Sequence, residues 1–250
     1  MREKLTVTGM VILAAPMGDF DKRVVILTKE RGKITAFARG ARRQNSTLLA
    51  AANPFTFGEF EVYEGRGAYN LSKATVKQYF RELANQPQTA CYGFYFLELV
   101  NYYARENNDE IELLKLLYQS VKALLVDTLD NALIRVIFEL KIMVVNGEYP
   151  NVFSCKKCNS KDNLAYFKAS EGGVFCSACG SKIGGIHMET STVYALQYIV
   201  SSSIEKLYTF QVSETVLKEL IAIMKAFMSR YIDRSFVTLA ILEQEKGIIS

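Results

Sequence analysis

The sequence predicts an α+β chain of more than one domain: a small β-barrel at the N-terminus, then a helical domain into which a four-cysteine metal module is inserted. Three observations carry that prediction. Five short β-branched segments separated by turn residues precede residue 80, and apolar residues recur at helical spacing from Tyr92 onward. Four of the five cysteines stand in two pairs, Cys155-x-x-Cys158 and Cys176-x-x-Cys179. The expected divisions are residues 1–80 for the barrel, 81–150 for the first helical part, 151–187 for the metal module and 188–250 for the second helical part.

The barrel strands are expected over residues 5–13, 23–29, 33–39, 57–63 and 70–79. The breaks between them fall at Pro16-Met17-Gly18-Asp19, Glu30-Arg31-Gly32, Asn53-Pro54 and Glu64-Gly65-Arg66-Gly67. Five strands with one longer connection after the third suit a closed barrel of the OB type, with an open sandwich as the competing architecture. That connection begins Arg39-Gly40-Ala41-Arg42-Arg43-Gln44-Asn45-Ser46, three guanidinium groups in five residues. Arginine pairs bidentately with phosphate and stacks on bases, so Arg39, Arg42 and Arg43 are the best candidates for nucleic-acid contact. Lys22, Arg23, Lys29, Arg31 and Lys33 extend the candidate surface.

After Pro87 the character changes. Residues 92–103 are apolar nearly all round, the mark of a buried helix, and their aromatic cluster, Tyr92, Phe94, Tyr95, Phe96, Tyr102 and Tyr103, reads as core before it reads as a ligand cage. Ile111, Leu114, Leu117, Val121 and Leu124 repeat at helical spacing. A third helix is expected from about Asp130 to Asn146-Gly147, ahead of Pro150. Beyond the cysteines, Thr190 or Ser191 can cap a helix carrying Val193, Leu196 and Ile199, and Ser213 another carrying Val216, Leu220, Met224 and Phe227.

In the metal module, a two-residue gap lets one tight turn aim two thiolates at a single ion, and two such turns complete the tetrahedron that Zn²⁺ favours in structural sites. The seventeen intervening residues include Gly172-Gly173, where a hairpin turns back. Cys155, Cys158, Cys176 and Cys179 are therefore the expected ligands of one structural zinc ion. Two disulfides would require an oxidising compartment, and a redox Cys-x-x-Cys would stand beside a βαβ pattern that is missing. Four thiolates leave no open coordination position for hydrolytic chemistry. His187 follows eight positions after Cys179 and is unnecessary as a ligand; Cys91 reads as a small buried apolar residue.

Residues 1–45 carry ten Lys/Arg against four Asp/Glu, whereas residues 81–150 carry six against ten, so the N-terminal region is the one a polyanion meets first. Residues 151–187 carry five against two and come next. The first fifteen residues imitate a signal peptide in length and charge, but Thr6 and Thr8 break the apolar run and its residues alternate as in a strand. No stretch suffices to span a bilayer, and a reducing cytoplasm suits the thiolate site. No Walker A sequence, dinucleotide fingerprint or His-x-Glu deaminase pattern is present, which disfavours an enzyme.

Thr28-Lys29-Glu30-Arg31-Gly32 leading to Ala38-Arg39-Gly40-Ala41-Arg42-Arg43, then Ser46 and Pro54-Phe55, follow one another in an order that is itself informative. Gly147-Glu148-Tyr149-Pro150 comes next, ahead of Cys155-x-x-Cys158 and Gly172-Gly173-Val174-Phe175-Cys176-x-x-Cys179. In these motifs the chain resembles the RecO family of bacterial DNA repair and recombination mediators over essentially its whole length. The resemblance implies an OB-fold, a helical domain with zinc, binding to single- and double-stranded DNA, and strand annealing. It also implies work with RecR to load the RecA recombinase onto DNA coated by single-stranded DNA-binding protein, in the bacterial cytoplasm at the nucleoid. The competing reading from another class is a zinc-ribbon RNA-binding factor, because OB barrels also grip RNA.

Overall fold

The structure, a computed structural model, describes residues 4–247; residues 1–3, the basic start of the stretch weighed as a leader, lie outside them. Five strands close into a barrel: β1 (Lys4–Met17), β2 (Asp21–Thr28), β3 (Gly32–Ala38), β4 (Phe57–Glu64) and β5 (Tyr69–Gln78). Their order around the barrel is β1-β2-β3-β5-β4. The β3–β5 pairing is parallel, Ala36 opposite Tyr69 and Ala38 opposite Leu71, while the others are antiparallel. This is the expected OB-type closure, and it excludes the open sandwich.

β1 runs four residues past its expected end. Its first half pairs with β4 and its second with β2, with a bulge between Val11 and Leu13 that re-aims the strand. Gly9 marks the crossing: a Cβ there would stand 2.2 Å from the carbonyl oxygen of Leu27, so only glycine lets the ladders approach. Val7, Val24, Ile26, Ile34, Phe60 and Val62 fill the interior. Ala41, Leu48 and Ala52 join the same core, so the long β3–β4 connection plugs the barrel with its small residues.

Two helices follow, α1 (Pro87–Tyr103) and α2 (Ile111–Ala123). Tyr118 of α2 meets the rings of Phe57 and Phe80 at centroid distances of 4.8 and 5.4 Å. The Lys33 ammonium donates to the Asn101 carbonyl at 2.8 Å, and Gly32 forms a β-bridge with Glu106. By packing, the described parts of Met1–Leu125 and Phe236–Ser250 form one compact unit and Val126–Ser235 another. Packing groups the first two helices with the barrel, which holds them by these aromatic and backbone contacts. The aromatic cluster is core as expected, with Tyr92, Tyr95, Phe96 and Tyr103 buried, except that Phe94 is exposed. Cys91 is half-buried rather than buried.

The second unit begins with α3 (Asn131–Val145). Its Asp130 cap accepts from the Ala132 and Leu133 amides, worth about 1 kcal/mol in such caps. The module follows: β6 (Leu164–Lys168), β7 (Gly173–Cys176), α4 (Ser177–Ile183) and β8 (Ile186–His187), the sheet ordered β7-β6-β8. Then come α5 (Thr190–Ser201) and α6 (Glu214–Met228), the latter capped by Ser213 as expected. α5 starts at Thr190 without a side-chain cap. Instead the buried Lys141 ammonium donates to the Ile199, Val200 and Ser202 carbonyls at the C-terminus of α5, where a cation complements the helix dipole. A further helix, α7 (Val237–Gly247), returns to the first unit, with Phe236 edge-on to Tyr95 and Tyr102. Among the described residues no helix is long and apolar enough to cross a membrane.

Candidate metal centre and nucleic-acid interface

Each pair of cysteines is aimed by its own turn. After Cys155 the chain doubles back: the Asn159 amide donates to the Cys155 carbonyl at 2.9 Å and the Cys155 amide to the Ser160 carbonyl at 2.8 Å. Asn159 takes φ +58, a conformation asparagine tolerates. Lys156 donates its amide to Val174 at 3.0 Å, which ties this knuckle to β7. Cys176 ends β7 and forms the N-cap of α4, whose first turn carries Cys179. The β6–β7 hairpin turns through Gly172 at φ +65, as expected of the Gly172-Gly173 pair.

The four sulfurs all lie within 4.8 Å of one another, and Cys158 and Cys176 are 3.7 Å apart. A tetrahedron with metal–sulfur bonds of about 2.3 Å separates its sulfurs by roughly 3.8 Å, so the cluster fits one ion. All four thiols are free of disulfides. Burial opposes ionisation of Cys155, yet the Cys158, Cys176 and Lys157 amides and the Cys158 thiol bring its pKa down to about 6. Burial, then hydrogen bonding with Cys176, Cys158 and Cys155, pushes Cys179 up to about 12. The Ser160 backbone opposes it, but hydrogen bonding with Cys155 and Cys176 raises Cys158 as well; a dication among the four sulfurs would favour their thiolate forms. His187 is exposed in β8, its ring edge-on to Tyr166 at 5.2 Å, and stands outside the cluster.

The eight candidate cations of the barrel do not form one surface. Antiparallel pairing sets Lys22 opposite Pro16 and Ala38, so Lys22, Arg23, Arg39, Arg42 and Arg43 gather at the end of the barrel where β2 begins. Lys29 and Arg31 in the β2–β3 turn and Lys33 at the start of β3 lie at the other end, with about 23 Å of strand between Lys22 and Lys29. Lys33 is committed to Asn101, and burial, then the Arg105 charge, lowers its pKa. Lys29 and Arg31 are exposed.

At the first end the arginines are built into the fold. Arg42 donates its amide to the Phe20 carbonyl at 2.8 Å and its guanidinium to Gly18 at 3.0 Å. Asp21 accepts from the Gly40 amide at 2.7 Å, so the β1–β2 turn and the β3–β4 connection are clamped together. Lys22 donates to the Ala52 carbonyl and the Asn53 side chain at 3.1 and 2.6 Å; burial, then the Arg42 charge, lowers its pKa. Lys22 thus anchors the connection, leaving Arg23, Arg39, Arg42 and Arg43 exposed. Sequence reasoning missed Phe20, which is 51% exposed with the Arg43 guanidinium 5.1 Å over its ring. Its signal was an aromatic residue inside a Gly-Asp turn, where burial has no use for it.

Comparison with known proteins assigns both halves. Residues 1–80 match the family described as Recombination protein O N terminal, and residues 84–240 the one described as Recombination protein O C terminal. A protein of Acetivibrio thermocellus named DNA repair protein RecO is 31% identical over 238 residues, 94% of either chain. The protein of that name in Alkaliphilus metalliredigens is 30% identical over 90% of this chain and 93% of its own. In Caldicellulosiruptor bescii the figure is 31% over 80% and 81%. Matched in both its N-terminal and its C-terminal part and alike to these relatives over most of its length, this chain belongs to the RecO family.

Proposed function

We propose that the chain is a DNA-binding mediator of recombinational repair that acts without catalysing a reaction of its own. It holds single- and double-stranded DNA, brings complementary strands together, and helps load RecA with RecR onto DNA covered by single-stranded DNA-binding protein, in the cytoplasm at the nucleoid. The observation that carries this reading is the clamped arginine end of the barrel, where Arg39, Arg42 and Arg43 stand exposed on an ordered connection. Family membership and the name of its relatives support the repair role.

The chemistry is electrostatic. Guanidinium groups neutralise phosphates, release their counterions and hold a strand with its bases available for pairing. Two such strands on one or two protein molecules repel each other less and pair faster. The metal is read as zinc, because four thiolates select a soft tetrahedral ion and close it to substrate. Cys155, Cys158, Cys176 and Cys179 would hold it, where it supplies fold rather than reactivity.

The test is annealing of complementary DNA strands by purified full-length protein without nucleotide. Acceleration over the spontaneous rate is the expected result. Strand cleavage or base modification, or annealing of RNA in preference to DNA of the same sequence, would overturn it.

A further inference from the structure

Among the described residues, Phe20 is the one large aromatic side chain left exposed among the arginines, and two further apolar residues of that region, Met17 at 37% and Leu49 at 40%, are exposed with it. Apolar surface set among phosphate-binding cations has no use in a purely electrostatic contact. The turn that carries Phe20 is rigid: its Phe20 carbonyl accepts from the Arg42 amide, its Gly18 carbonyl from the Arg42 guanidinium, and Asp21 holds the Gly40 amide. Arg43 lies over the ring at 5.1 Å, and half of the residue still faces solvent. A ring backed by a guanidinium, in a residue half exposed to solvent, can serve as a stacking platform for a planar ligand.

We infer that Phe20 stacks an unpaired nucleobase of a strand whose backbone lies on Arg39, Arg42 and Arg43, and so gives this end of the barrel its preference for single strands over duplex. The inference rests on the nucleic-acid reading of the arginine end. In a duplex both faces of every internal base are covered by neighbours, so a duplex reaches the arginines through its phosphates and gains nothing from the ring. Asp19, exposed in the same turn, opposes phosphate and disfavours a backbone lying directly over Phe20. A base, which carries no net charge, suits that position.

The test uses the full chain with Phe20→Ala, Phe20→Leu and Phe20→Trp. Each is titrated against a single-stranded oligonucleotide of about 20 nucleotides, longer than one OB site engages, and against the duplex of the same length. Phe20→Ala is expected to weaken single-strand binding by about 5- to 150-fold, the equivalent of roughly 1–3 kcal/mol, with the salt slope and the duplex affinity unchanged. Phe20→Trp is expected to restore single-strand binding and Phe20→Leu is not. Equal losses on both nucleic acids, full activity of Phe20→Leu, or no loss in Phe20→Ala would overturn the inference. If Arg42→Ala/Arg43→Ala also keeps the wild-type salt slope, the nucleic-acid reading of this end fails as well; if that variant flattens the slope while Phe20→Ala binds normally, stacking alone is wrong.

Discussion

The cysteine cluster and the arginine end of the barrel are held together in opposite ways. The four sulfurs are brought within 4.8 Å by two short local turns and one hairpin, all within residues 155–179. The arginines are exposed, and what orders them is reached across the fold: Gly18 and Phe20 lie over twenty residues before Arg42, and Lys22 is anchored on Asn53, thirty-one residues away. A site that draws its affinity from one ion concentrates its energy in a few atoms. A site that draws it from phosphates spreads small increments over several exposed groups and depends on the barrel to collect them.

That contrast can be tested from its strongest point downward. Cys176→Ser removes one of the four sulfurs proposed to hold zinc; binding of a structural zinc ion, on the order of 10–16 kcal/mol, is also folding free energy, so that proposal expects metal content and the cooperative unfolding of the second unit to be lost together. Elemental analysis and calorimetry measure the two, while oligonucleotide affinity of the barrel should change far less. Full metal content in Cys176→Ser would break the comparison.

Gly180→Ala is a smaller lesion in the same module. Its Cβ would stand 2.3 Å from a ring carbon of Tyr166, so α4 must shift on β6, at a cost of about 1–3 kcal/mol typical of overpacking. The metal should remain, with a lower melting temperature; an unchanged melting temperature would mean that the ring simply moves aside.

At the barrel, Arg42→Ala/Arg43→Ala removes the exposed Gly18 hydrogen bond and the cation over Phe20, and is expected to lower stability by about 1 kcal/mol. It should flatten the salt dependence of single-strand binding by about 1.4 in slope, at roughly 0.7 for each phosphate no longer neutralised. Binding isotherms from low to moderate salt measure it. The smallest effect belongs to Lys29→Ala/Arg31→Ala at the opposite end of β2, which should leave that slope unchanged for a short oligonucleotide. A flattening there equal to the arginine variant's would mean that the strand tracks the whole length of β2.

The barrel was readable because β-branched alternation and Gly breaks are local signals; all five strands stand within a few residues of expectation, except that β1 continues to Met17. Its last residues, Ala14-Ala15-Pro16, carry no strand signal of their own and are extended by pairing with β2. The cysteine cluster was readable for the same local reason. The eight cations were readable as a charge excess but not as two separate clusters, since that separation depends on which strand end each one occupies. Helix α7 went unread: residues 237–247 show weak periodicity, and their attachment rests on Phe236 and the buried Leu242 rather than on a continuous apolar stripe. The packing of the first two helices with the barrel was not legible because Tyr118, Lys33 and Gly32 act through partners far away in the chain.

The return of α7 to the first unit has a consequence for synthesis. Tyr95, fully buried in the finished fold, is covered by Phe236, which leaves the ribosome only after the 110 residues of the second unit. At about 5–20 residues per second, the barrel and its first two helices wait roughly 5–20 s with that aromatic surface open to water and to other nascent chains. The barrel strands can pair early, but the first unit is completed last, so a ribosome stalled late in the second unit presents a formed barrel beside an uncovered patch that a chaperone can recognise.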